Sequence, residues 1–196
     1  MIQILKKQNM HRTVLDNGMV VITSENPTAD IVSGRIFIRA GSRNESRGQA
    51  GVFNLLSSVL TKGTHHHSSL EIAERVESIG SSLSTDAAAD YSLLSLKTVS
   101  ADFSDILSLA AELLRFPTFP VAEVELEQRL TLQGIRSMQE QPFAVAYDQL
   151  RRAMYQDHPY ALSGLGTEAT VASLSREILQ HYHQTYYRPD NMVVSL

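Results

Sequence analysis

Two periods of apolar repetition share this chain without ever settling into strict alternation, and that mixture limits the folds open to it. His11 to Ser24 reads as two short strands around Asp16-Asn17-Gly18, because Asn-Gly accepts the positive backbone dihedrals of a tight hairpin. Ile31 to Arg39 alternates as a sheet strand does, with Ile31, Ser33 and Arg35 on one side and Val32, Gly34, Ile36 and Ile38 on the other. Helical spacing then takes over from about Gln49 to Thr61, stopping at Gly63, and from about Ser69 to Ser78, stopping at Gly80. Leu83 to Ala89 and Tyr91 to Val99 return to strand character. Three helical segments follow, over roughly Ala101 to Leu114, Val121 to Met138 and Phe143 to Tyr155. After a loop from Asp157 to Gly166, a last helix runs from Ser175 to Tyr186 and Pro189 breaks it, whereupon Met192 begins a strand that reaches Leu196. A parallel doubly wound sheet would need strand and helix to alternate. This order predicts an α+β domain instead, with helices layered on a largely antiparallel sheet. No internal repeat or low-complexity linker divides residues 1–196, which read as a single domain. Its end on a strand, with no turn or polar tail, gives the expectation that it is part of a longer two-domain polypeptide.

Composition works by exclusion. At 196 residues one core is the default, and 43% hydrophobic with 19% charged residues is the balance of an ordinary globular protein. No segment approaches the roughly 18 apolar residues of a membrane helix, so no membrane span is expected. Lysine and arginine number 17 against 21 acidic residues, and they are scattered, which leaves no electrostatic footprint for nucleic acid. The absence of cysteine excludes disulfides, thiolate metal sites and cysteine nucleophiles, and is compatible with the cytoplasm or another soluble reducing compartment. In Met1 to Lys7 the lysines follow the few apolar residues and no long apolar stretch comes after them, so no secretory signal is visible.

On the helix from Gln49 to Thr61, Val52, Leu55, Leu56, Val59 and Leu60 form an apolar stripe. Asn54, Ser57, Ser58 and Thr61 form a polar one that must face solvent or a cleft, at a spacing that lets side chains converge. The surrounding run, Ala40-Gly41-Ser42-Arg43-Asn44-Glu45 and then Ala50 through Lys62-Gly63-Thr64, resembles the signature region of the insulinase-like zinc metallopeptidases, the family of pitrilysin and the mitochondrial processing peptidase. There the helix carries H-x-x-E-H and a Lys-Gly-Thr turn follows. The likeness continues through Val76-Glu77-Ser78-Ile79-Gly80, Arg115-Phe116-Pro117, the acidic helix Glu123 to Arg129, His158-Pro159-Tyr160, Gly166-Thr167-Glu168 and Tyr187-Arg188-Pro189-Asp190-Asn191-Met192. It covers nearly the whole chain in order.

Carried over from that resemblance, the first zinc histidine falls on Asn54, the general-base glutamate on Ser57 and the second histidine on Ser58. The third ligand, a later glutamate, falls on Gly134, while Glu127 matches a retained supporting glutamate. A catalytic zinc needs three basic protein donors and an open position. An amide, a hydroxyl and a glycine do not supply them, and Ser57 could not take a proton from water near neutral pH, a role worth roughly 10²–10⁴-fold. The resemblance therefore implies a non-catalytic member with no zinc cofactor. It would pair with an active peptidase subunit, or a second half-domain, to enclose peptides. Resembling proteins receive an extended peptide at the sheet edge matching Ser82, Leu83, Ser84 and Thr85, a backbone-bonded mode that needs no metal; the same segment also reads as an internal strand paired with Tyr91 to Val99. Two rival readings stand beside this one: a structural core subunit of a larger complex, and a metallopeptidase with unconventional ligands such as Glu127 with His65-His66-His67. Three successive histidines rarely converge on one ion and read as an exposed loop, and His181 and His183 diverge on their helix. Gly134, unfavourable inside a helix by about 1 kcal/mol relative to alanine, signals either close backbone packing or a relaxed constraint.

Overall fold

The computed structural model describes residues 10–26 and 28–196, so the Met1 to Lys7 stretch read above lies outside them. Strands β1 (Met10–Val14) and β2 (Val20–Ser24) form the expected hairpin. Gly18 sits at φ +84° in its turn, which is why Asn-Gly stands there. β3 (Ile31–Ile38) precedes helices α1 (Val52–Val59) and α2 (Ser69–Ser78), and the hairpin of β4 (Ser82–Ala87) and β5 (Ser92–Val99) follows. Helices α3 (Phe103–Arg115), α4 (Val121–Gln139), α5 (Pro142–Tyr155), α6 (Glu168–Ser173) and α7 (Arg176–Tyr186) lead to the final strand β6 (Met192–Ser195). The short α6 has no counterpart in the sequence reading. Six residues hold too little periodicity to stand out, and what starts the helix is the reciprocal Thr167–Thr170 cap.

The sheet is six-stranded in the order β1-β2-β6-β3-β5-β4. The last strand enters the middle, antiparallel to β3 and parallel to β2, and the β2–β6 pair is the parallel exception in an otherwise antiparallel sheet. Ile36 and Ile38, Leu94 and Leu96, and Met192 and Val194 line its inner face and pack beneath α1, α3 and α7 in one core. β3 keeps the alternation predicted for it, with Gly34, Ile36 and Ile38 buried and Ile31, Ser33 and Arg35 exposed.

Helix α1 is shorter than the spacing from Gln49 to Thr61 suggests. Residues Arg47–Gln49 form a separate 3-10 turn, and Gly51, at φ +96°, breaks the continuity. A Cβ at Gly51 would lie 2.6 Å from the carbonyl oxygen of Leu165, so both the dihedral and the close approach require glycine. Eight residues make no stable helix alone. α1 is held by the burial of Val52, Phe53, Leu55, Leu56 and Val59, each worth roughly 1.5–3 kcal/mol on transfer from water.

Candidate functional site

Burial of α1 begins at a carboxylate. Glu45, only 7% exposed, accepts the Gly51 N–H at 2.8 Å on one oxygen and the Phe53 N–H at 2.9 Å on the other. These are donors that no earlier turn of the helix can satisfy, and the carboxylate stands where the helix dipole favours negative charge. Desolvation nevertheless prevails, and burial pushes the Glu45 carboxyl up from 4.5 to about 7 against the pull of the two N–H groups. The sequence placed Glu45 in a signature run but gave it no role. Its partners lie six and eight residues away, across a backbone break that periodicity does not show.

The polar stripe of α1 is less exposed than expected. Ser57 is buried at 4% exposure, and Asn54, Ser58 and Thr61 are half-buried, because α4 and β4 cover this flank. Ser58 Oγ donates to the carbonyl of Asn54 at 3.1 Å, and Thr85 Oγ1 on β4 donates to the carbonyl of Ser57 at 2.7 Å. Ser57 and Ser92 make polar contacts with the hydroxyl of Tyr187, whose pKa burial raises to about 12. Glu127, on the facing side of α4, is held by Lys62 Nζ at 3.0 Å. This ion pair is a lysine–glutamate match 65 positions apart, with no local sequence signal. Gly134 lies further along α4, and a Cβ built there meets nothing within 4 Å. Among the described residues, then, no backbone packs closely enough on Gly134 to require it. The donors at positions 54, 58 and 134 are an amide, a hydroxyl already bonded within its own helix and no side chain at all, a set that does not fit zinc.

β4 stands at the end of the strand order, so Ser82 to Thr85 is an edge, not an internal strand, although it does pair with β5 as the sequence suggested. Ala88 donates its N–H to the carbonyl of Tyr91 at 2.8 Å, which fixes the phase of the ladder. Asp86, Ser84 and Ser82 therefore bond to β5, and the N–H and C=O groups of Leu83 and Thr85 point to the open edge. Ser82 and Ser84 project outward, while Leu83 and Thr85 face α1. An extended chain added here would run alongside the polar flank of α1.

The histidines do other things. His65 and His66 are exposed, whereas His67 Nδ1 lies 3.0 Å from Glu112 Oε1, a carboxylate that also accepts the Thr64 hydroxyl. Among the described residues no three His, Cys, Asp or Glu side chains stand together as a metal-holding group, so Glu127 and the histidine triplet are not brought to one ion. His181 and His183 part as their spacing implied. His183 is buried, its Nε2 lies 3.0 Å from the Leu114 carbonyl oxygen, its ring stacks on Tyr187, and burial lowers its pKa below 6.5.

Comparison with known proteins places this geometry. The chain is 29% identical over 185 residues to "Uncharacterized zinc protease YmxG" of Bacillus subtilis (strain 168), covering 94% of this chain and 45% of that protein. It is 28% identical over 183 residues to "Cytochrome b-c1 complex subunit 1, mitochondrial" of Caenorhabditis elegans, covering 93% of this chain and 39% of the other. The crystal structure of a peptidase M16 inactive domain from Pseudomonas fluorescens superimposes with a TM-score of 0.92 at 25% identity, covering 95% of this chain and 46% of that one. The chain thus spans less than half the length of these relatives. No helix among the described residues is long and apolar enough to cross a membrane. Since residues 20–168 match the family described as Insulinase (Peptidase family M16), and the resemblance read from the signature run is carried by the fold as well, the chain belongs to the insulinase family of zinc peptidases, as a member without the H-x-x-E-H motif.

Proposed function

We propose that the chain is a non-catalytic, zinc-less half-domain that pairs with an active peptidase subunit, or with a second half-domain, and supplies one wall of a peptide-binding chamber. The observation that carries this reading is the flank of α1. Asn54, Ser57, Ser58 and Gly134, which the resemblance sets at the family's ligand and base positions, include no basic donor, and Glu127 is paired with Lys62 at 3.0 Å. The relative titled an inactive domain supports it. Peptide is held on the edge of β4, where Leu83 and Thr85 offer backbone groups that pair with no strand among the described residues and Ser82 and Ser84 border the bound strand. The lack of cysteine suits a soluble reducing compartment.

The test is twofold. Purified chain is assayed for zinc by mass spectrometry and for cleavage of a quenched fluorescent peptide, with metal far below one equivalent and no cleavage expected; chelator-sensitive cleavage overturns the reading. Binding of a labelled unstructured peptide is then compared with that of the same peptide N-methylated at alternate residues, which removes the donors an added strand must present. Equal affinity for both excludes edge pairing. The relative in the cytochrome b-c1 complex supports a second reading, a structural core subunit. Co-purification from the source with a respiratory membrane complex, and not with a peptidase, favours it.

A further inference from the structure

Strand β4 is bonded along one side. Its ladder to β5 fixes it within the sheet, but among the described residues no strand pairs with its other side, and the direction of the backbone groups there follows every twist of the strand. One side chain resists that twist. Thr85 Oγ1 donates to the main-chain carbonyl of Ser57 at 2.7 Å, and among the described residues it makes the one side-chain hydrogen bond that ties β4 to a helix.

Acceptor and donor are both suited to this. α1 ends at Val59, so the Ser57 carbonyl is among the last four of the helix, which lack the regular intrahelical donor, and it receives the Leu60 N–H at 3.3 Å. Ser57 is also buried, where a carbonyl needs such partners. Threonine branches at Cβ and its χ1 is restricted, so fixing Oγ1 also fixes the Thr85 backbone from which the branch springs. That backbone carries the N–H and C=O that point to the open edge, while the side chain faces α1. The bond therefore joins the helix with the altered motif to the groups an added strand would meet. Both polar groups of Ser57 are in structural use, since its hydroxyl makes a polar contact with that of Tyr187. We propose that Thr85 is a positioning residue for peptide: its hydroxyl, acting through the Ser57 carbonyl, holds the edge of β4 in the direction that lets an extended chain add to it. This rests on the reading of β4 as a peptide-binding edge. Thr85 meets the peptide through its backbone, and its side chain works from the other side.

Fluorescence anisotropy tests this with a labelled unstructured peptide and the same peptide N-methylated at alternate residues, on the wild type, Thr85→Val and Thr85→Ser. Valine keeps threonine's shape without its donor, and serine keeps the donor. The wild type should favour the unmethylated peptide. Thr85→Val should weaken that binding by about tenfold, near the upper end of what one hydrogen bond supplies, and bring the two peptides toward equal affinity, with an unchanged far-ultraviolet circular dichroism spectrum. Thr85→Ser should keep the preference and bind within about threefold of the wild type. A general loss of stability would not erase a preference between two peptides, nor would serine, the poorer packer, restore it. Thr85→Ala removes the hydroxyl without adding a methyl and should behave as valine does, so the test survives a valine variant that fails to fold. A wild type that discriminates between the peptides, beside a Thr85→Val chain that discriminates equally, overturns the inference and leaves the peptide-binding edge standing. So does a serine variant as weak as the valine one. A wild type that binds both peptides alike removes the edge site itself, and the role of Thr85 with it.

Discussion

Replacing Glu45 with glutamine should change stability by an amount that depends on pH in a stated direction. With its pKa raised from 4.5 to about 7, Glu45 binds its proton more tightly in the folded chain than in the unfolded one. Its contribution is therefore fully present below about 4.5 and is lost as pH rises through about 7. At about 1.4 kcal/mol for each pH unit between those values, the loss is ~3 kcal/mol. The neutral acid can still receive both the Gly51 and the Phe53 N–H on its two oxygens, whereas glutamine has one oxygen and sets an NH₂ group against the other donor. An unsatisfied buried donor costs ~1–3 kcal/mol, so E45Q should be less stable than the wild type by about 2 kcal/mol at acid pH. As pH rises the wild type alone acquires the cost of a buried charge, and the difference should shrink toward zero or reverse. Urea denaturation midpoints of both proteins at several values between pH 5 and 8 provide the assay, and only the difference between them is diagnostic. His183 acts in the opposite sense. Its pKa is lowered by burial, so the stability it brings is lost as pH falls below 6.5, in both proteins alike. A deficit in E45Q that grows with pH would refute the reasoning, for it would mean that the helix N-terminus holds the carboxylate more strongly than burial opposes it.

Gly134→Ala should raise stability by about 1 kcal/mol, or ~2–4 °C in thermal midpoint, because a methyl there meets open space; an unchanged or lower midpoint contradicts this. The triple variant Asn54→His, Ser58→His, Gly134→Glu should gain zinc approaching one equivalent by mass spectrometry while the wild type does not; failure of the folded variant to take metal would count against the assigned ligand positions. His183→Phe should cost about 1–3 kcal/mol by leaving the buried Leu114 carbonyl short of its donor, and should flatten the acid limb of the stability profile; an unaffected limb would mean that His183 is not the group titrating there.

The sequence alone determined much of the layout, because periodicity and turn chemistry are local. β3 alternates at the positions read from residues 31 to 39, Asn17-Gly18 turns the first hairpin, and α2 runs over Ser69–Ser78, the span read from helical spacing and the stop at Gly80. The signature run also pointed to the family that the match over residues 20–168 shows. Tertiary structure decided what depends on closing distance in space. It shortened α1 by pressing Gly51 against Leu165, and it set the last strand between β2 and β3. It put Lys62 on Glu127, left β4 at an edge and turned the apolar side of α5 outward. Periodicity tells which residues share a face, but which face the rest of the chain covers is set by long-range packing, and the two need not agree.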